Sequence, residues 1–530
     1  MPAEHGVVYT KRWVVDLVLD LAGYVVGTGI TDKVIVEPSC GCGAFMVPIV
    51  ERLADEATQR GVGWEELGDK VRGYDIDVES VDTTKHAVAD ALVARGCPDD
   101  TASDLADMWL TCSDFILSQV PACDFVVGNP PYVRATEIDR TKRELYCRVL
   151  PSVTSGCDLY VSFFDKGVDV LKHDGALCFI CADRWLQNAY GKRLRVRVGA
   201  ACDLESLVRM HGVDAFDDEV DAYPAVTLIR RCPPEGLIRF VNCDSDFKPE
   251  DVGAVKAWLD APAGSLRAER FEAFEVGRPK DDEVYPLGSS ELVEFVTRAR
   301  EKLPSIEESG VHIGIGVATG CDKVFITDVE DLVEPERMLP VFSMRDYRRG
   351  RADKRRWLVN PWNEDGTLVD LDQYPKLKAY FEGNADVLRK RHVARKNDHA
   401  WYRTIDKLTP GIAERDLLFM PDMATTSDPV LSHGLYPAHN TYWIASDTWD
   451  LHALGGLLMA DTTRRFVDAL GVKMRGGTLR FQAQYLRLVH MPTYDQLSDE
   501  VRQGLSWAFD EKDRDAATRF AEVAYEEAMR

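Results

Sequence analysis

The chain has no apolar run long enough to cross a bilayer. Its most apolar early stretch, VVDLVLDLAGYVVG, is interrupted by Asp16 and Asp20 and falls short of the ~20 consecutive apolar residues a spanning helix needs. It reads as an amphipathic helix. The start shows none of the charged, apolar and small-residue order of a signal peptide, so a cytoplasmic protein is expected, with no membrane partner. There is no internal repeat and no biased tract. Zinc-type spacing is missing too: the thirteen cysteines are an odd number, and no histidine pair completes a ligand set. Reduced thiols are the expectation. Cys178 and Cys181 do form a C-x-x-C in ALCFICAD. On a strand, however, residues three apart face opposite sides and cannot share an ion, so no metal is expected. Positive charge is scarce, with 64 Lys and Arg against 88 Asp and Glu, a net charge of −24. That argues weakly against a nucleic-acid partner, although binding follows local patches more than totals.

One such patch exists. From Arg345 to Arg403 there are 15 basic and 9 acidic residues, and RDYRRGRADKRR (345–356) holds seven basic residues in twelve. The whole chain, at 530 residues, is enough for two to four domains. Short apolar runs at 33–37, 71–75, 124–128, 176–182, 204–210 and 225–230 alternate with helical patterns such as AFMVPIVERLADEA and LYVSFFDKGVDVLK. That alternation predicts an α/β domain around a mostly parallel sheet, with a ligand beyond the carboxyl ends of the strands. Pro/Gly-rich breaks after 231 (RRCPPEG, DAPAGS, GRPKDDEVYPLGSS) change the pattern. The expected division is a domain at 1–235, a connecting region at 236–310, a second, mixed α+β domain at 311–492, and a helical segment at 493–530.

Candidate chemistry sits at the predicted strand ends. VIVEPSCGCGAF places Glu37 at the tip of the first strand, followed by a loop with Gly41 and Gly43. Glycines there let the backbone approach a ligand; the acid suits a ligand with a cationic or amino end. GYDID places Asp75 at the tip of the second strand, where a ribose diol is usually held. LTCSDFIL places Asp114 and Phe115 after the third, suited to an adenine amino group and ring. The fourth run ends in CDFVVGNPPYVRAT. Two consecutive prolines stop a strand. Asn129 and the Pro130 carbonyl, its direction restricted by Pro131, can each accept one N–H of an exocyclic amine, drawing the nitrogen toward tetrahedral geometry and freeing its lone pair. Tyr132 offers a face on which a base can stack.

This ordered set resembles the gamma class of S-adenosylmethionine-dependent N6-adenine DNA methyltransferases of type II restriction-modification systems, with TaqI-like architecture and an XhoI-type layout. The fold implied is a Rossmann-like methyltransferase sheet followed by a target-recognition domain. The resemblance implies S-adenosyl-L-methionine as cofactor, contacted by Thr10, Glu37, Gly41, Gly43, Asp75, Asp114 and Phe115. Asn129, Pro130, Pro131 and Tyr132 match the catalytic tetrapeptide. Phe216, in VDAFDDEVDAYPAVTLI, matches the aromatic on the opposite face of a flipped adenine, with Tyr223 as a competing candidate. The second half, in segments such as YPAHNTYWI and KMRGGTLRFQAQYLRLVHMP, resembles the family's DNA-reading domain. The implied partner is double-stranded DNA, with a cognate restriction endonuclease encoded separately and the methylase acting as a monomer. Arg475, Arg480, Gln482 and Gln484 are candidate base readers, and Arg345, Arg348 and Arg349 candidate phosphate contacts. The same tetrapeptide also serves enzymes that methylate RNA bases or a protein glutamine, but those resemble only the first half. A fused nuclease is not expected, because the cofactor motif begins at residue 6, and a catalytically dead DNA binder is disfavoured by an intact tetrapeptide.

Overall fold

The computed structural model describes residues 9–217, 223–262, 264–280, 282–351, 355–471 and 478–530. They form two compact units, Met1–Glu294 and Phe295–Arg530. The boundary expected near 235 lies inside the first.

The first unit is built on a ten-stranded sheet: β1 (Ile35–Glu37), β2 (Val71–Asp75), β3 (Leu110–Cys112), β4 (Cys123–Gly128), β5 (Leu171–Ala182), β6 (Asp203–Arg209), β7 (Pro224–Arg230), β8 (Leu237–Cys243), β9 (Leu266–Arg267) and β10 (Phe271–Gly277). Their spatial order is 3-2-1-4-5-7-6-8-10-9. Pairings along β3-β2-β1-β4-β5 are all parallel; β7 and β10 run against their neighbours. The central strands are apolar runs because both faces are covered. One core packs Val14, Val18, Ile49, Leu53 and Leu105 from helices α1 (Arg12–Ala22), α2 (Met46–Arg60) and α4 (Asp99–Trp109), with α3 (Val78–Val93) contributing Val81 and Val88. The other packs Tyr146 of α5 (Arg140–Val149), Phe163 and Phe164 of α6 (Leu159–Val170), and Leu194 and Val198 of α7 (Lys192–Ala201).

Local signals set these lengths. α1 is amphipathic, burying Val14, Val15, Val18 and Leu19, and stops at Gly23 in the left-handed region, whose N–H caps the Asp20 and Leu19 carbonyls. α3 starts where Asp77 accepts from the Ser80 N–H. The order reverses at β1, which pairs β2 on one side and β4 on the other. Such a switch point opens a crevice at the carboxyl edge, bounded here by Glu37, Asp75 and Gly128, the last residues of these three strands. Residues 236–277, expected as a connector, instead supply β8, β9 and β10 to this sheet.

The second unit is mixed. One antiparallel sheet orders Val311–Ile315, Thr441–Ser446, Leu417–Pro421 and Val430–Ser432; a second orders Ile326–Thr327, Trp357–Val359, Met338–Phe342 and Tyr436–Pro437; a short pair joins Met423–Ala424 to Leu479–Arg480. The C-terminal segment forms two helices, Asp499–Asp510 and Arg514–Ala528. Their inner faces, through Val501, Leu505, Ala517 and Ala521, are buried. Among the described residues, no helix is long and apolar enough to cross a membrane.

Candidate active site

At the end of β1, Glu37 is only 2% exposed. Its Oε2 has no hydrogen-bond partner among the described residues. Burial pushes its carboxyl well above the usual range, and the nearby charge of Asp75 adds to the shift. A buried polar atom without a partner is costly, so this acid is poised for a cationic donor that would restore its charge.

The following loop is shaped by Gly41 and Gly43, with φ of 47° and 93°, a region that favours glycine. A Cβ on Gly41 would meet nothing within 4 Å, whereas Gly43 rests on Thr84 at 3.4 Å. Thr84 donates its hydroxyl to the Gly41 carbonyl at 2.6 Å. The Gly41 N–H donates to Asp75 Oδ2 at 2.9 Å, and the Asp77 N–H to Asp75 Oδ1 at 3.0 Å. Asp75 thus braces the loop while standing at the tip of β2. Beside it, Ile76 is 56% exposed, an apolar surface at the same rim.

Asp114 follows β3. It accepts from the Ile116 N–H at 3.0 Å and from the Tyr146 hydroxyl at 2.6 Å. Phe115 is buried, stacked on Phe163 at 5.8 Å and tilted against Tyr74. Its packing ties the site to the core.

β4 delivers the tetrapeptide to the same edge. A side chain on Gly128 would press on Pro38 and Glu37, at 3.4 and 3.5 Å. Asn129 Nδ2 donates to Thr10 Oγ1 at 3.1 Å, and Ser39 donates its hydroxyl to the Asn129 carbonyl at 3.2 Å. The tail is clamped as well: the Leu159 N–H donates to the Val133 carbonyl, and the Ala135 N–H to Asp158. Tyr132 directs its hydroxyl toward the Ile180 carbonyl at 3.5 Å, and burial raises its phenol well above the ordinary value, with Cys181 contributing. Its ring meets Phe216 edge-on, centroids 6.4 Å apart and planes at 82°. Phe216 is carried there by a one-residue antiparallel bridge to Thr10. The competing aromatic, Tyr223, instead packs against His211 at 4.9 Å and beneath Arg184 at 5.0 Å.

Thr10, Asn129, Phe216 and Tyr132 are therefore linked to one another, and Gly41 to Asp75, while Glu37 stands at the end of β1 between β2 and β4. Three further residues hold the site and carry no spacing signal: Thr84 and Tyr146 contact their partners across 43 and 32 positions, and Ser39 across 90. Among the described residues, no group of three His, Cys, Asp or Glu is placed to hold a metal. Cys178 and Cys181 are buried on β5.

In the second unit, Arg345, Arg348 and Arg349 are exposed on and just beyond the short helix Met344–Arg348, with Arg348 donating to the Met423 carbonyl at 3.0 Å. Arg480 is half-buried and paired with Asp422 at 2.9 Å. Gln482 accepts from the Gln484 side chain at 2.9 Å. Arg475 lies outside the described residues.

The reversed strand order and the acid-tipped strand ends define a Rossmann-like methyltransferase sheet with an added α+β domain. A family model described as Eco57I restriction-modification methylase matches residues 100–216. The chain is 38% identical to the type II methyltransferase M.PaeR7I of Pseudomonas aeruginosa over 523 residues, covering 97% of this chain and 90% of the relative. It is 37% identical to M.XhoI of Xanthomonas vasicola, covering 98% and 96%, and 34% identical to M.BstVI of Geobacillus stearothermophilus, covering 94% and 92%. Among solved structures, the type IIL restriction-modification enzyme MmeI in complex with DNA matches with a TM-score of 0.55 at 12% identity, covering 97% of this chain and 72% of that one; at that identity the likeness concerns fold alone. The chain belongs to the type II methyltransferases of restriction-modification systems.

Proposed function

We propose that this methyltransferase modifies N6 of an adenine flipped out of a short duplex recognition sequence, using S-adenosyl-L-methionine, and so protects host DNA from a separately encoded endonuclease. In this reading it works as a cytoplasmic monomer. The observation that carries it is the convergence of Asn129, Tyr132, Thr10 and Phe216 beside the acid-and-glycine loop. The residues suit the cofactor. Glu37, with an unpartnered buried oxygen, would take a cationic amino group; the open space over Gly41 would admit the backbone of a ligand; Asp75 retains lone pairs for a ribose diol; Asp114 would take an adenine amine. Bound there, S-adenosylmethionine supplies an electrophilic methyl group.

The chain's own residues do the rest. N6 cannot reach the site within a stacked duplex, so the base must leave it. Between Tyr132 and Phe216 the base needs about 7 Å, two contacts of ~3.5 Å. The rings stand edge to face at 6.4 Å, so entry requires them to turn parallel. Asn129 Oδ1 and the Pro130 carbonyl then accept the two N6–H groups and localise the lone pair. No strong base is needed before transfer, because the amine becomes acidic only once alkylated. In the second unit, Arg345, Arg348 and Arg349 would contact phosphates, and Gln482 with Arg475 would read base edges. Arg480 already shares its guanidinium with Asp422, which would fix its direction for the same task. The solved MmeI complex contains DNA, in keeping with a duplex substrate.

The test is transfer of a radiolabelled methyl group from S-adenosylmethionine to duplex DNA by the purified protein, followed by nucleoside analysis. Label in N6-methyl-2′-deoxyadenosine supports the reading. Label in N4-methyl-2′-deoxycytidine, or only in RNA or protein, overturns it.

A further inference from the structure

We propose that Thr10 is a positioning residue for the target amine: its hydroxyl holds the Asn129 amide in place with Oδ1 facing away from the threonine. The proposal rests on the function inferred above. It departs from the cofactor-contacting role that the sequence resemblance implies for this residue.

An amide presents a donor end and an acceptor end of nearly the same shape, related by a half-turn. Only the acceptor end is useful against an amine; a turned amide would set N–H against N–H. Thr10 Oγ1 accepts from Asn129 Nδ2 at 3.1 Å, and this bond holds the amide with Oδ1 turned away from the threonine. Thr10 is itself buried and is not free to follow a rotating amide. Its neighbours pin it: the Lys11 N–H donates to the Ala215 carbonyl at 3.0 Å and the Asp217 N–H to the Tyr9 carbonyl at 3.0 Å, while Lys11 Nζ pairs with Asp214 at 2.5 Å.

The same pairing has a second consequence. Thr10 stands directly opposite Phe216, and side chains of directly opposed residues lie on one face. The threonine thus meets the amide while its partner meets the Tyr132 ring. One backbone bridge sets the polar and aromatic halves of the amine site in register. The Tyr9 hydroxyl, within 3.3 Å of Cys42 Sγ, ties the same strap to the glycine loop.

The experiment uses full-length Thr10→Val and Thr10→Ser proteins. Valine keeps the shape and removes the acceptor; serine keeps the acceptor. Turnover is measured at saturating DNA and S-adenosylmethionine, and the cofactor Kd by calorimetry, which also reports a folded crevice. The proposal expects Thr10→Val to lose about tenfold or more in kcat with a cofactor Kd within twofold of wild type, and Thr10→Ser to recover most of the loss. Unchanged turnover in Thr10→Val overturns it. So does a loss that appears in cofactor Kd or KM while kcat stands, which would make Thr10 a cofactor contact, and so does a loss that serine fails to repair. Absence of N6-methyladenine with the wild-type protein is a separate result that removes the underlying reading and the proposal with it.

Discussion

Replacing Glu37 by glutamine should make the cofactor-free protein more stable at neutral pH and a poorer binder of S-adenosylmethionine. Burial, and then Asp75, raise the Glu37 carboxyl well above its ordinary value. In the folded state it keeps its proton over a pH range where the unfolded chain has released it. The folded protein therefore binds more protons than the unfolded one across that window, and stability falls as pH climbs from about 4.3 toward the folded pKa. Glutamine never ionises and escapes this loss. The stability gap between variant and wild type should widen by about 1.4 kcal/mol per pH unit inside the window and stop growing beyond it. Binding should move the other way. A hydrogen bond to a charged group contributes about 1.5–3 kcal/mol against 0.5–1.5 for a neutral pair, so the variant should lose about 1–2 kcal/mol, roughly a 5- to 30-fold rise in Kd. Wild-type binding should also release a proton and tighten as pH rises, up to the ligand amine's own pKa of about 7.7–8; the variant's should be flat. Thermal unfolding at several pH values, with calorimetry in buffers of different ionisation enthalpy, measures both. A gap independent of pH, or equal affinity in the two proteins, would refute the assignment of Glu37 as the acid awaiting a cation.

Three other perturbations follow from the same structure. Asn129→Ala should lower transfer by about 10²–10³-fold or more, by analogy with removing one preorganised hydrogen-bonding group from a reacting centre, while cofactor Kd by calorimetry changes little. Charge reversal at Arg348 and Arg349 should weaken DNA binding and flatten its dependence on salt, by roughly one unit of log–log slope for each arginine that no longer neutralises a phosphate; filter binding across a salt series reads this. Asp183 is buried, which alone would raise its pKa, but Arg209 and His211 overcome that and hold it at about 2. Asp183→Asn should cost about 3–5 kcal/mol by leaving Arg209 buried without its partner, measured by urea unfolding. In the wild type, stability gained from this depressed pKa should be complete above about pH 4 and lost as pH falls from there toward 2.

The parallel strands β1, β2 and β4 were legible because each is a short apolar run closed by an acid or glycine. β2 coincides with the expected 71–75. β5 begins five residues earlier than its apolar run, because Lys172, His173 and Asp174 are exposed at its start and leave no hydrophobic trace. β8 and β10 carry a weak signal for a related reason: LIRFVNC and FEAFEVG alternate with charges as antiparallel strands do, and Pro/Gly breaks surround them. At the site, strand-tip acids and the tetrapeptide are local patterns, visible in a line of letters. Which side chain braces which is not. Asp422 holds Arg480 across 58 positions, and Asn129 meets Thr10 across 119; only the folded chain relates them. Phe216 and Tyr223 likewise lie in the same connection, and only the folded chain shows that Phe216 is bridged to Thr10 while Tyr223 packs on His211.

The most direct test of adenine modification at a defined site is base-resolved mapping. The intact chain and its Asn129→Ala variant would be expressed in a bacterial host lacking adenine methylation, and modified bases read by single-molecule sequencing. The account expects N6-methyladenine at every copy of one short motif with the intact chain and none with the variant. Methylation on cytosine, or adenine methylation that persists when Asn129 is removed, would contradict it.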